Sequence, residues 1–269
     1  MQMVSAAKMR KAQAAALNSR SYSALAWSLI FELSPIIANN GDNEHSFPLL
    51  VPHPKANKIG VVLLGTNRTL VGGLNTNLGK ILDKVGQQAE VISEVIVYGQ
   101  QAKRVALRTH YPILADFQKE ERNITSEEVY PLAKYVTDAY ISGEYKAIYI
   151  VYNHFMSTLN QQPTIKQLLP FKPTEDEVTG SNRPSDYLFE PHPKQVLEHL
   201  IPRIVESQLY QAILESNASE HSARMVMMKN ATEAAGDLIS SYTLTYNQLR
   251  QNKITTELAE ITAGKIALE

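Results

Sequence analysis

Between residues 203 and 263 the chain contains no proline and a single glycine, Gly236. A continuous helix over that stretch would extend roughly 90 Å, whereas the mean globular helix has only about 11–12 residues. A domain built from 269 residues cannot bury such a rod from end to end. The rod must protrude, pair with another helix or pass through a partner. Met228, Ala231, Ala235, Leu238, Tyr242, Thr245 and Leu249 step by three and four, the rhythm of a heptad seam with a left-handed supercoil. The seam is weak, because small or polar residues stand where Leu or Ile would give a tight zipper. After Leu249 its register shifts to Ile254, Leu258 and Ile261.

The other end of the chain also reads as a helix. Ala12, Ala14, Ala15, Ala16, Ala24 and Ala26 supply high helix propensity over residues 1–34, and Pro35 is the expected stop. Residues 38–57, bearing Asn39, Asn40, Gly41 and Pro48, Pro52 and Pro54, read as a loop. A different rhythm then begins. Residues 58–64 form a short β-branched run ending at Gly65, a buried strand; 91–98 and 145–152 repeat the pattern, and 159–169 can pair beside the last. Helical text lies between them at 74–86, at 100–109, and from Thr125, whose Glu128 three residues on completes a capping box. Strands alternating with helices predict an α/β layer with a mostly parallel sheet.

The predicted organisation is therefore a shaft helix at 1–34, a linker at 35–57, an α/β domain at 58–170, a connector at 171–190 and a second shaft helix at 191–269. Pro191, His192 and Pro193 suit the first turn of that last helix. The fold class is α/β: an antiparallel coiled coil of terminal helices with an inserted Rossmann-like domain.

Composition narrows the function. Net charge is −1, so there is no global electrostatic case for nucleic acid. Cysteine is absent, which removes thiolate metal sites and thiol nucleophiles. No apolar run approaches the roughly 20 residues of a membrane span, and the start lacks a signal-peptide pattern, so a soluble, cytosol-facing chain is expected. The turn from Gly65 through Gly72 and Gly73 stands where α/β folds cradle phosphates, yet fits neither G-x-G-x-x-G nor the P-loop; a tight turn is the better reading. The seven histidines, His192 and His199 among them, show no zinc spacing and suit surface or packing roles. Glu120, Glu121, Glu127 and Glu128 suit solvated faces. No catalytic, metal or cofactor residue is predicted. Lys8, Arg10, Lys11 and Arg20 give a basic first helix with no acid among its first 20 residues, a face for an anionic partner or for solvent.

Longer strings are more specific. Met1 through Gln13 (MQMVSAAKMRKAQ), Leu70–Asn75 (LVGGLN), Tyr152-Asn153-His154-Phe155 with Gln162-Pro163-Thr164-Ile165, Val205 to Tyr210 (VESQLY) and Glu220 to Thr232 (EHSARMVMMKNAT) occur in order along nearly the whole chain. Together they resemble the gamma subunit of the rotary F-type ATP synthase, bacterial type. The resemblance implies a central stalk whose shaft stands inside a ring of alpha and beta subunits. Its α/β domain would sit with the epsilon subunit on the membrane ring of c subunits, at the cytoplasmic face of the inner membrane, with protons or sodium ions driving rotation. ATP chemistry would belong to the ring. It also implies subunit contacts: Arg250, Gln251, Thr255 and Glu257 at the ring's catch loops, Arg224 in the shaft string, and Met1, Lys8, Arg10 and Lys11 where acidic beta-subunit levers press. Family chains ordinarily carry roughly 20–25 residues ahead of the position of Met1, and without them a helix of 1–34 reaches roughly 50 Å. Thr66-Asn67-Arg68-Thr69 replaces the usual Ser-Asp-Arg-Gly, and thiol regulation is not expected. Two other readings stay open on the residues alone, a nucleotide-binding α/β protein with a helical appendage and a coiled-coil scaffold.

Overall fold

The computed structural model describes residues 1–39, 47–88, 92–120, 124–171 and 193–266, and the chain divides into two compact units, Met1–Met225 and Val226–Glu269. In the first unit a long helix, α1 (Gln2–Asn39), precedes β1 (Lys58–Leu64), α2 (Leu74–Gln88), β2 (Ile92–Tyr98), α3 (Gln100–Arg108), β3 (Ile113–Phe117), α4 (Ser126–Ile141), β4 (Tyr145–Phe155) and β5 (Gln161–Leu169). The last helix, α5 (Pro193–Ile266), belongs to both units.

The sheet runs β3-β2-β1-β4-β5; β1 to β4 are mutually parallel and β5 returns antiparallel to β4. Side-chain alternation decides what covers each face. Val61, Leu63, Val95, Val97 and Val151 point to one side and meet Leu78 and Leu82 of α2 with Ala102 and Val105 of α3. Val62, Leu64, Ile96, Ile148 and Ile150 point to the other, against Leu132 and Val136 of α4 and Ile201, Ile204, Val205 and Leu209 of α5. Both faces of a parallel sheet must be covered, which explains why β1 and β2 read as continuous apolar runs rather than alternating ones. Burying a side chain of this size contributes about 1.5–3 kcal/mol, so these two layers dominate the stability of the unit. α4 opens on Thr125, whose amide donates to Glu128 Oε2 at 3.4 Å, as its sequence predicts.

Two expectations change. α1 does not stop before Pro35 but continues to Asn39, since one proline removes a single rung from the ladder and need not end it. A strand at 113–117 was not expected: its five residues alternate between half-buried and exposed at the sheet edge, too weak a pattern to stand out. Of the predicted connector at 171–190 only Phe171 lies among the described residues, and Pro191 and His192 lie outside them.

Candidate functional site

The segments that follow β1 and β3 meet α5 at one buried carboxylate. β1 is followed by Gly65, where a Cβ would stand 2.4 Å from the amide nitrogen of Ala102; only glycine lets α3 come so close. The next residue, Thr66, is fully buried and closes the turn on itself, its Oγ1 donating to the Arg68 carbonyl at 2.8 Å and accepting from Asn75 Nδ2 at 2.9 Å. Asn67 donates its side-chain amide to the carbonyl of Lys119, the second residue after β3.

Lys119 points inward, where its Nζ donates to Glu220 Oε2 at 2.6 Å and to the Gly65 carbonyl at 3.3 Å. Arg224, one helical turn further along α5, donates to Glu220 Oε1 at 2.9 Å and to the carbonyls of Arg68 and Thr69 at 3.4 Å. The Lys119 and Glu220 side chains are 5% and 7% exposed. Burial alone would raise the Glu220 carboxyl, but the Lys119 ammonium and its hydrogen bond, with Arg224 and His221, outweigh it and hold the group below the usual carboxylate range. Burial also pushes the His221 imidazole down to about 4, helped by Lys119, Arg224 and Lys8 against the pull of Glu220. The result is a charged latch between the sheet's strand ends and α5.

A second latch lies nearer the start of α5. Glu215 accepts from Arg20 of α1 at 3.0 Å and Gln211 at 2.9 Å on one oxygen, and contacts His154 Nδ1 of β4 at 2.5 Å on the other. Gln211 also donates to the Ala16 carbonyl at 3.2 Å. α1 offers small residues here; Ser5 and Ala16 are its buried positions among those described. Val4 and Lys8 share a cavity with His221 and Arg224, while Ala15 and Tyr22 share another with Arg203 and Glu206, so α1 and this part of α5 run antiparallel.

In the second unit α5 is exposed at every described side chain from Lys229 onward. The expected seam residues Leu238, Tyr242 and Leu249 are 57–71% exposed. Ile254, Leu258 and Ile261 lie roughly 150° round the helix from them, so the apolar residues form no single stripe. Hydroxyls along this helix turn inward: Thr243, Thr245, Thr255, Thr256 and Ser240 each donate to the carbonyl four residues back at 2.8–3.1 Å.

Of the residues singled out in the sequence, Met1, Lys8 and Arg224 line the same cavity, and Arg10 and Lys11 are exposed on α1 outside it. Arg250, Gln251, Thr255 and Glu257 are all exposed in the second unit. Arg250 and Glu257 share one side of the helix and Gln251 and Thr255 another; Glu257 lies 3.9 Å from Lys253. His199 is exposed, and no cluster that could hold a metal occurs among the described residues. Lys119 and Glu215 went unmarked in the sequence, and Arg20 and His154 entered only as part of a basic run and of a family string, without their partners. Their partners stand 61–195 residues away, so no local spacing could reveal them.

The sequence matches the family described as ATP synthase over residues 1–268. It is 38% identical over 271 residues to the ATP synthase gamma chain of Pelotomaculum thermopropionicum, covering all of this chain and 92% of that one. The chain belongs to the ATP synthase gamma family. The gamma chain of Coxiella burnetii is 39% identical over 273 residues, with the same coverage. Among solved structures, a chain from the central stalk and c-ring of the Tetrahymena thermophila mitochondrial ATP synthase superposes with a TM-score of 0.66 at 19% identity, covering 86% of this chain and 97% of its own. A chain from the Euglena gracilis mitochondrial ATP synthase gives 0.59 at 18% identity, covering 99% and 94%. The gamma-family fold accordingly accounts for an α/β sheet flanked by terminal helices. Its two latches fasten those helices to the sheet.

Proposed function

We propose that this chain is the central-stalk rotor subunit of an F-type ATP synthase, coupling ion flow across a membrane to ATP synthesis while catalysing nothing itself. One observation carries the reading: α5 is a wall of the α/β core up to about Ala223 and a wholly exposed helix beyond Lys229. A rotor needs both, one half gripped so that torque enters and the other presented to a surrounding ring. No helix among the described residues is long and apolar enough to cross a membrane, in keeping with attachment through other subunits. The partners are then the alpha and beta subunits, epsilon and the c-ring, at the cytoplasmic face of the bacterial inner membrane. The division into shaft helices around an α/β domain at 58–170 belongs to the same reading.

Co-expressed with alpha, beta and epsilon subunits from a related bacterium, the tagged chain is expected to retain all three through size-exclusion chromatography. Recovery of the chain alone in every preparation contradicts the proposal. Arg250, Gln251, Thr255 and Glu257 are proposed to meet the ring's catch loops and Arg224 to make a subunit contact from the shaft string, with Met1, Lys8, Arg10 and Lys11 at the level of acidic beta-subunit levers, where opposite charge favours contact. Gln251→Trp with Thr255→Leu enlarges one face of an exposed helix, so ATP-driven ion pumping in the reconstituted enzyme should fall at least tenfold, roughly the effect of 1.4 kcal/mol on a barrier. The circular dichroism of the chain should not change. Full pumping by that variant rules out contact at these two positions.

A further inference from the structure

A cavity of about 590 Å³ opens over the carboxyl ends of β1, β2 and β3, within the span of roughly 300–1,000 Å³ typical of small-molecule sites. Its walls come from the residues that directly follow those strands: Asn67 and Arg68 after β1, Gln100 and Gln101 after β2, Lys119 and Glu120 after β3. Open α/β sheets bind their ligands outside the carboxyl ends of their strands.

The lining is strongly cationic. Lys8, Arg68, Arg104, Lys119 and Arg224 face two acids, Glu120 and Glu220. Glu220 is already engaged by Lys119 and Arg224, so it neutralises neither Lys8 nor Arg104. Lys8 and Arg104 make no hydrogen bond or ion pair among the described residues. His221, which lines the same cavity, is depressed first by burial and then by Lys119, Arg224 and Lys8. Holding like charges round one cavity is unfavourable, and an anion placed among them relieves it.

We propose that this cavity binds a phosphate-bearing anion, held by Lys8 and the guanidinium group of Arg104, with that of Arg224 beside them. Guanidinium forks match phosphate oxygens in pairs, which selects phosphate over a monovalent halide. Val4 and Leu70 at the rim leave room for an organic group on the phosphate. The inference goes beyond the rotor role and stands without it.

Titration calorimetry of the full chain at low salt tests it, with inorganic phosphate, pyrophosphate and ADP as separate arms. Pyrophosphate should bind saturably, and Arg104→Gln and Lys8→Gln should each weaken it roughly tenfold, the effect of losing one hydrogen bond to a charged group. Lys134→Gln, an exposed change on α4, should leave binding unaltered. ADP binding more tightly than pyrophosphate identifies a nucleotide as the source; equal affinity identifies the inorganic ion. Both rankings support the site. Absence of saturable heat in all three arms, or full affinity in the folded Arg104→Gln chain, overturns it. Because Arg104 is exposed, that variant keeps the fold. A failed rotor reading would show in co-purification instead, a separate measurement.

Discussion

Glu220→Ala is expected to lower the unfolding free energy of the Met1–Met225 unit by about 3–5 kcal/mol, the usual loss when one partner of a buried ion pair is removed. The reason is the ammonium left behind. Lys119 is 5% exposed, and without the carboxylate its remaining described acceptor is the Gly65 carbonyl at 3.3 Å. Lys119→Ala should cost less, because Glu220 keeps its 2.9 Å bond to Arg224. Replacing both partners, as in Lys119→Met with Glu220→Leu, removes both buried charges and should recover much of the lost stability. Urea denaturation followed by circular dichroism measures all three. A loss under about 1 kcal/mol for Glu220→Ala, in the range of an exposed pair, shows that the latch is solvated and disproves the argument.

The second large effect is a loss of stability in acid, and His221 sets its window. Burial, reinforced by Lys119, Arg224 and Lys8 and opposed by Glu220, lowers this imidazole from 6.5 to about 4 in the fold. The unfolded chain therefore takes up the proton first as pH falls. The contribution is fully present above pH 6.5 and is lost progressively down to about pH 4, amounting to about 3 kcal/mol. Glu220 acts lower still: its folded carboxyl is also depressed, so its contribution holds above the ordinary 4.5 and fades as pH drops through the folded value. His221→Gln should flatten the dependence between pH 6.5 and 4 while leaving the steeper acid limb in place. If the variant keeps the full slope in that window, His221 is not the group responsible.

What the sequence made legible follows from what each element asks of it. β1, β2 and β4 are buried on both faces and need unbroken apolar, β-branched text, so residues 58–64, 91–98 and 145–152 stood out. α4 announced itself through Thr125 and Glu128 because capping is chemistry within one turn. β3 lies at the sheet edge and needs only Ile113 toward the α2 and α3 layer and Ala115 and Phe117 toward the α4 layer, which any loop could supply. The heptad-like run from Met228 to Leu249 was real as a pattern, yet periodicity states only that a face is apolar, not what covers it. The latches were beyond reach for a different reason. Lys119 and Glu220 are ordinary surface residue types in a string, and only the fold that carries β3 to α5 turns them into a buried pair. The contact residues at 250–257 came from family resemblance alone; their exposure on two sides of α5 is compatible with that origin without depending on it.

The core on the α4 side of the sheet has a consequence for synthesis. A nascent chain that has emerged as far as Phe171 already holds all five strands and the first four helices. It still lacks Ile201, Ile204, Val205, Leu209 and Ile213, the side chains that cover Val62, Ile148 and Ile150. Until they leave the ribosome, the part of that face which α4 does not cover is wet, and Arg20 and Lys119 wait for Glu215 and Glu220. The fold can close only when its C-terminal helix arrives. A message cut short before that helix therefore yields a polypeptide with exposed sheet surface, open to aggregation and to quality-control proteases.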